Sequence, residues 1–278
     1  MNETARPIAI VTGANSGIGL VTARELASRG FHVFLACRSR ASTEEAIRQS
    51  QAAAGKGKLE FLPLDLGDFD SIRAAAAQFL ATGLPLNLLV ANAGLAGQRG
   101  LTTSGFELTF GVCHIGHFLL TQLLLDRLKA SAPARVVVVA SKAHRHTKGI
   151  DFDVLRQPTR SSSGLKEYSV AKLANVLFAA ELGARLEGTG ITAYSLHPGV
   201  VATNVWRSVP WPLDRIIKAF MITAEQGAAT TLYCATDPAL ASVSGRYYNN
   251  CKEEVPSAPA RDRSLATELW RRSEAWLR

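Results

Sequence analysis

Short apolar runs alternate with helix-period segments along almost the whole chain. Ile8–Thr12, Phe31–Ala36, Leu59–Leu64, Leu86–Ala91, Arg135–Ala140, Ile191–Leu196 and Gly245–Asn249 have the length and content of buried strands. The run Val136–Val139 is unbroken and β-branched, as a central parallel strand requires. Between these runs, apolar residues recur at helical spacing over Leu20–Arg29, Phe69–Leu80, Phe106–Lys129, Val170–Leu186, Glu225–Thr236 and Asp262–Arg278. A more polar helix is expected over Ala41–Ala54. Such alternation predicts an α/β fold: one doubly wound parallel sheet of about seven strands, with helices on both faces. No linker, repeat or low-complexity segment divides residues 1–278, so the chain reads as a single domain.

Composition narrows the picture a little. The chain is 47% apolar and 19% charged, as in an ordinary globular protein. Its net charge of +8 comes from scattered Lys and Arg, with no basic run and no interleaved aromatic platform. Nucleic acid is therefore not an expected partner. A mildly basic surface does suit phosphorylated cofactors and anionic membranes. Cys37, Cys113, Cys234 and Cys251 form no CxxC pair, which fits buried thiols in a reducing compartment. No signal peptide and no apolar run of about 18 residues is seen, so a cytoplasmic protein without a transmembrane helix is expected. His114 and His117 lack a carboxylate or cysteine to complete a metal set, and His144 and His146 read as loop residues, so no metal is expected.

Candidate chemistry collects at the ends of the expected strands. Gly13-Ala-Asn15-Ser16-Gly17-Ile18-Gly19 follows the first strand and precedes a helix. Glycines there allow a tight turn and let backbone N–H groups approach a pyrophosphate. Arg38 ends the second strand, at the place where an Asp or Glu would meet an NAD ribose and an Arg accommodates the 2′-phosphate of NADP. Asp65 and Leu66 end the third strand, where the carboxylate is either an adenine contact or a cap for the next helix. Asn92-Ala93-Gly94 ends the fourth strand, and Ser141 the fifth. No Gly-x-Ser-x-Gly surrounds Ser141, which argues against a hydrolase nucleophile. Tyr168 and Lys172 share one helical face at i, i+4, and an ammonium beside a phenol favours the phenolate.

Together, Thr12–Gly19, Asn92-Ala93-Gly94, Ser141 and Tyr168-x-x-x-Lys172 resemble the classical short-chain dehydrogenase/reductase family over nearly the whole length. Leu35–Arg38, His114–Phe118, Val137–Ser141, Tyr168–Asn175, His197-Pro-Gly199 and Ser244–Tyr247 look most like its retinol dehydrogenase and dehydrogenase/reductase-13-like branch. The resemblance implies a Rossmann domain that binds a nicotinamide dinucleotide, which supplies the hydride. It implies that Tyr168 is the general acid or base, that Ser141 holds the substrate oxygen, and that Lys172 binds the nicotinamide ribose and supports Tyr168. By the same resemblance, Gly13, Asn15, Ser16, Gly17, Ile18 and Gly19 line the pyrophosphate, and Asp65 and Leu66 flank the adenine. Asn92, Ala93 and Gly94 line the middle of the cofactor. Pro198, Gly199, Val201 and Thr203 hold its nicotinamide end.

Cys113 departs from this pattern, because the family usually has Asn there to support a water relay to the lysine. A thiol cannot copy an amide, so the relay survives if the Cys113 backbone carbonyl makes the contact, and turnover drops or the natural reaction differs if the side chain is needed. The leading expectation is an NADP(H)-dependent oxidoreductase, NADP(H) being preferred over NAD(H). Its substrate would be a bulky apolar carbonyl or alcohol: a retinoid, steroid, lipid aldehyde or polyketide ketone. The competing readings are a non-catalytic cofactor-binding sensor or partner protein, supported by Cys113, and a C=C reductase on the same fold. The apolar segment 205–222, with Trp206 and Trp211, reads as a substrate lid or as a surface helix touching a membrane. The apolar helix Phe106–Lys129 and the helix at Tyr168 suit a homodimer or homotetramer contact of the kind the family commonly makes.

Overall fold

The computed structural model describes residues 6–199 and 222–277. Its strands are β1 (Ile8–Thr12), β2 (His32–Cys37), β3 (Lys58–Pro63), β4 (Leu88–Ala91), β5 (Ala134–Val139), β6 (Ile191–His197), β7 (Arg246–Asn249) and β8 (Lys252–Glu253). They form one eight-stranded sheet in the order β3-β2-β1-β4-β5-β6-β7-β8. All neighbours are parallel except β7 and β8. The strand beyond the expected seven is β8, too short to carry a period. It is reached through Asn250 and Cys251, both at positive φ (49° and 58°), where a hairpin would normally advertise itself with Asn-Gly.

The helices are α1 (Gly17–Ser28), α2 (Arg40–Ser50), α3 (Phe69–Ala81), α4 (Leu108–Ala130), α5 (Leu165–Arg185), α6 (Ala224–Thr236) and α7 (Arg263–Trp276). The strands feed two cores by alternation. Ile8, Ile10, Val136 and Val138 pack with α3, α4 and α5 through Phe79, Phe118, Leu124 and Phe178. Ala9, Val11, Val137 and Val139 pack on the other face with α1 and α6 through Leu26, Ala228 and Leu232. Strands buried on both faces explain why their sequences are continuously apolar.

Two features of α4 bear on the site. Residues Gly111–Ile115 form a π turn, with the Gly116 N–H bonding the Gly111 carbonyl. A Cβ at Gly116 would lie 2.3 Å from the Leu66 carbonyl oxygen, so only glycine lets the helix cross the end of β3 this closely. The 23 residues of α4, with a mean hydropathy of 1.5, are long and apolar enough to cross a membrane by composition alone. Polar interruptions such as Thr121 and Gln122 kept this stretch from reading as one apolar run. Burial of 72% of its apolar window places it as a core helix. Helix α7 lies across α4 and α5. Trp270 meets Phe118 edge-on at 4.9 Å and stacks on Phe178 at 6.0 Å, and the Arg185 guanidinium sits 4.4 Å from its ring centre.

Candidate active site

Strand order reverses at β1 and β4, and the crevice at the carboxyl ends of such strands is where doubly wound sheets hold ligands. The glycine loop occupies it. Gly13 adopts a φ of +63°, and its N–H bonds the Ala36 carbonyl at 2.9 Å. The Ala14 N–H donates to Cys37 Sγ at 3.2 Å, a contact for which the sequence carries no signal beyond an apolar strand end. Burial pushes the Cys37 thiol up in pKa, so it remains a neutral acceptor here. A Cβ on Gly19 would fall 2.4 Å from the Gly13 carbonyl oxygen and 2.5 Å from Asn92 Nδ2. Ser16 precedes α1 without capping it through its side chain, leaving that helix's first N–H groups to an anion. This cradle fits a dinucleotide pyrophosphate.

Around it, Asn92 Nδ2 donates to the Thr12 carbonyl at 2.8 Å, while the N–H groups of Asn92 and Ala93 donate to Thr12 Oγ1 at 3.0 and 2.9 Å. Asn15 Nδ2 reaches Ser42 Oγ at 3.0 Å and ties the loop to α2. Arg38 stands exposed at the end of β2, with no ion-pair partner among the described residues. Asp65 is half-buried, and its Oδ1 accepts from the Gly67 N–H at 2.8 Å. The cap of α3 is instead Asp68, which accepts from Asp70 and Ser71, so the alternative reading of Asp65 as that cap is corrected. Leu66 is buried under α4.

The catalytic candidates meet at the end of β5. Tyr168 and Lys172 both lie in the first turns of α5, which starts at Leu165, ahead of the expected boundary. Lys172 is 3% exposed and its Nζ donates to the Val139 carbonyl at 2.8 Å. It lies 5.6 Å from the centre of the half-buried Tyr168 ring. Ser141 Oγ accepts from the Ala143 N–H at 3.1 Å, which leaves its own proton free to donate outward. Cys113 is fully buried, with Sγ 3.7 Å from the Leu95 carbonyl. A Cβ on Gly94 would sit 3.3 Å from Cys113 Sγ and 3.4 Å from Lys172 Nζ, so thiol and ammonium border the same glycine. Burial raises the Cys113 pKa, against the opposing pull of Lys172.

Four buried histidines surround this region. His144, expected to be a loop residue, is fully buried in a short helical turn after Ser141. Its Nδ1 donates to the Ser141 carbonyl at 2.6 Å and its Nε2 accepts from the Ser257 N–H at 3.2 Å. Its burial has a tertiary cause: its second partner is supplied from beyond β8. His197 Nδ1 accepts from the Lys142 N–H at 3.3 Å, and burial pulls its pKa down to about 4. His117 is lowered to about 4 and His114 to about 3, both chiefly by burial. Pro198 and Gly199 follow β6 and are half-buried, Gly199 at a φ of +93°. Val201, Thr203 and segment 205–222, apart from Ile222, lie outside the described residues.

A glycine cradle at the switch point, with Ser, Tyr and Lys gathered at the next strand end, defines a dinucleotide-dependent oxidoreductase of the Rossmann class. The family comparisons agree with that class. The short chain dehydrogenase family matches residues 7–152. Human retinol dehydrogenase 12 is 46% identical over 266 residues, covering 95% of this chain and 84% of that one. Bovine dehydrogenase/reductase SDR family member 13 is 48% identical over 272 residues, covering 95% and 71%. The crystal structure of an uncharacterized protein from Mycobacterium paratuberculosis superposes with a TM-score of 0.78 at 35% identity, covering 99% and 94%. This chain belongs to the short-chain dehydrogenase/reductase family, in its retinol-dehydrogenase-like branch. It is therefore an oxidoreductase-family chain with a nicotinamide-cofactor fold.

Proposed function

We propose that this chain, acting as one domain, transfers hydride between NADP(H) and a carbonyl or alcohol on a bulky apolar substrate. The observation that carries the reading is the buried Lys172, anchored to the Val139 carbonyl beside Ser141 and set 5.6 Å from the Tyr168 ring. When bound, the nicotinamide supplies or accepts the hydride. Tyr168 gives a proton to the substrate oxygen in reduction and takes it back in oxidation. The Ser141 hydroxyl, its oxygen already turned toward Ala143, donates to that same oxygen and steadies the charge developing there. Lys172 places a positive charge beside the phenol and would hold the nicotinamide ribose of a bound cofactor.

Arg38 supports the NADP(H) preference, because a free guanidinium pairs with a phosphate where a carboxylate would repel it. The retinol dehydrogenases among the relatives agree with an apolar substrate. A homodimer or homotetramer built on α4 and α5 would have to accommodate α7, whose Trp270 packs on Phe118 and Phe178. The test is NADPH consumption over retinal, medium-chain aldehydes, steroid ketones and quinones, with NADH alongside. NADPH-preferring turnover that Tyr168→Phe abolishes is expected. Turnover unchanged in that variant overturns the mechanism.

A further inference from the structure

His117 takes no part in the chemistry above, yet its ring joins the cofactor cradle to the catalytic corner. It is 2% exposed, on α4 just after the π turn. Nε2 lies 2.8 Å from Thr12 Oγ1, and Nδ1 lies 3.0 Å from the Cys113 carbonyl oxygen. The tautomer follows from counting lone pairs. Thr12 Oγ1 already accepts the N–H groups of Asn92 and Ala93. A hydroxyl oxygen has two acceptor sites, so what remains is its proton. The Val90 carbonyl is a poorer acceptor for that proton at 3.4 Å. Nε2 takes it, and the ring's own proton sits on Nδ1, facing a carbonyl that can only accept.

The ring must stay neutral for this to hold. Burial keeps it so, and the Lys172 charge acts in the same direction. The other titratable groups facing it are His114, itself kept neutral by burial, and the neutral Cys113 thiol. A protonated ring would aim Nε2–H at an oxygen with no lone pair left.

We propose that His117 is a positioning residue with one task at each ring nitrogen. Through Nε2 it fixes the Thr12 hydroxyl that holds the Asn92–Ala93 turn for the dinucleotide. Through Nδ1 it holds the Cys113 carbonyl, and with it the thiol, against the Gly94–Lys172 corner for turnover. The inference rests on the oxidoreductase reading above.

Two half-mimics separate the tasks. In His117→Asn the amide nitrogen takes the place of Nδ1 and keeps the Cys113 contact, while Thr12 loses its acceptor. In His117→Gln the amide oxygen takes the place of Nε2 and serves Thr12, while the Cys113 carbonyl loses its donor. His117→Asn is expected to raise the NADPH Kd about tenfold with kcat within about twofold, the size of one lost buried hydrogen bond. His117→Gln is expected to do the reverse, lowering kcat about tenfold with Kd within about twofold. Nitrogen-15 NMR of the wild-type imidazole should show a neutral Nδ1–H tautomer from about pH 8 down to about pH 5.5. Equal changes in Kd and kcat in both variants, or a ring proton on Nε2, would overturn the proposal. If the wild type binds NADPH but turns over no carbonyl, the oxidoreductase reading fails. The ring tautomer and the Kd split then decide His117 by themselves, and the tautomer does so alone where a variant does not fold.

Discussion

The glycine loop after β1 and the serine turn after β5 both sit at the carboxyl ends of central strands, but they are gripped in opposite ways. The loop is held mainly by close approach. Gly19 lets the Gly13 carbonyl and the Asn92 amide come within distances that a single Cβ would forbid, and Gly13 takes the positive φ of the turn. The serine turn is held by side chains reaching in: His144 and His197 bond its backbone, and Lys172 bonds the strand that leads to it. A structure held by missing atoms is broken by adding them; one held by reaching side chains is broken by trimming or charging them. The two ends of the site should therefore fail under different substitutions and in different measurements.

The largest effect should come from trimming the catalytic end. Tyr168→Phe removes the proton donor and should lower kcat by on the order of 10³-fold, with NADPH affinity nearly unchanged in a fluorescence titration. A parallel loss of NADPH affinity would erase the distinction between the two ends.

Acid should come next, because buried neutral imidazoles brace the serine turn through His144 and His197, and His117 alone reaches the cofactor cradle. The unfolded chain protonates its histidines near pH 6.5, whereas His117 and His197 resist until about pH 4 and His114 until about pH 3. Between those values the unfolded state binds more protons, so stability is complete above about pH 6.5 and falls as pH drops toward 4. Each histidine should cost roughly 1.4 kcal/mol per pH unit inside that window. Urea melts at about pH 7, 5.5 and 4.5 check this. Midpoints that do not move would show that these rings are not buried neutral.

Adding atoms tests the cofactor end. Gly19→Val should weaken NADPH binding by about 100-fold, as a Cβ between the Gly13 carbonyl and Asn92 forces the loop apart. Unchanged affinity would mean that the loop does not carry the dinucleotide. The smallest effect is expected at the exposed rim of that end. Arg38→Ala should reduce the preference for NADPH over NADH by about tenfold, read as a ratio of kcat/KM values.

Much of the site was legible in the sequence, and its signals are local. Gly13–Gly19 sits between a strand and a helix, Ser141 follows a β-branched run, and Tyr168 and Lys172 share a helix face. Each is a statement about neighbours within a few residues. The burial of His144 had no signal near it; Ser257, which satisfies its second nitrogen, is supplied from the far side of β8. Thr12 and Cys37 had weak signals at most, a hydroxyl and a thiol at the ends of apolar strands. The Asp65 alternatives could not be separated before Asp68 was seen to cap α3.

By itself, then, the chain's pattern determined the doubly wound order, the residues at the strand ends and the kind of chemistry they carry. Apolar period, loop glycines and i, i+4 spacing act through local geometry. Only the tertiary structure decided that α7 covers α4 and α5, that Cys113 and Lys172 border Gly94, and which nitrogen of His117 carries the proton. Burial, protonation and hydrogen-bond partnership depend on groups brought together from distant parts of the chain, and no local pattern encodes them.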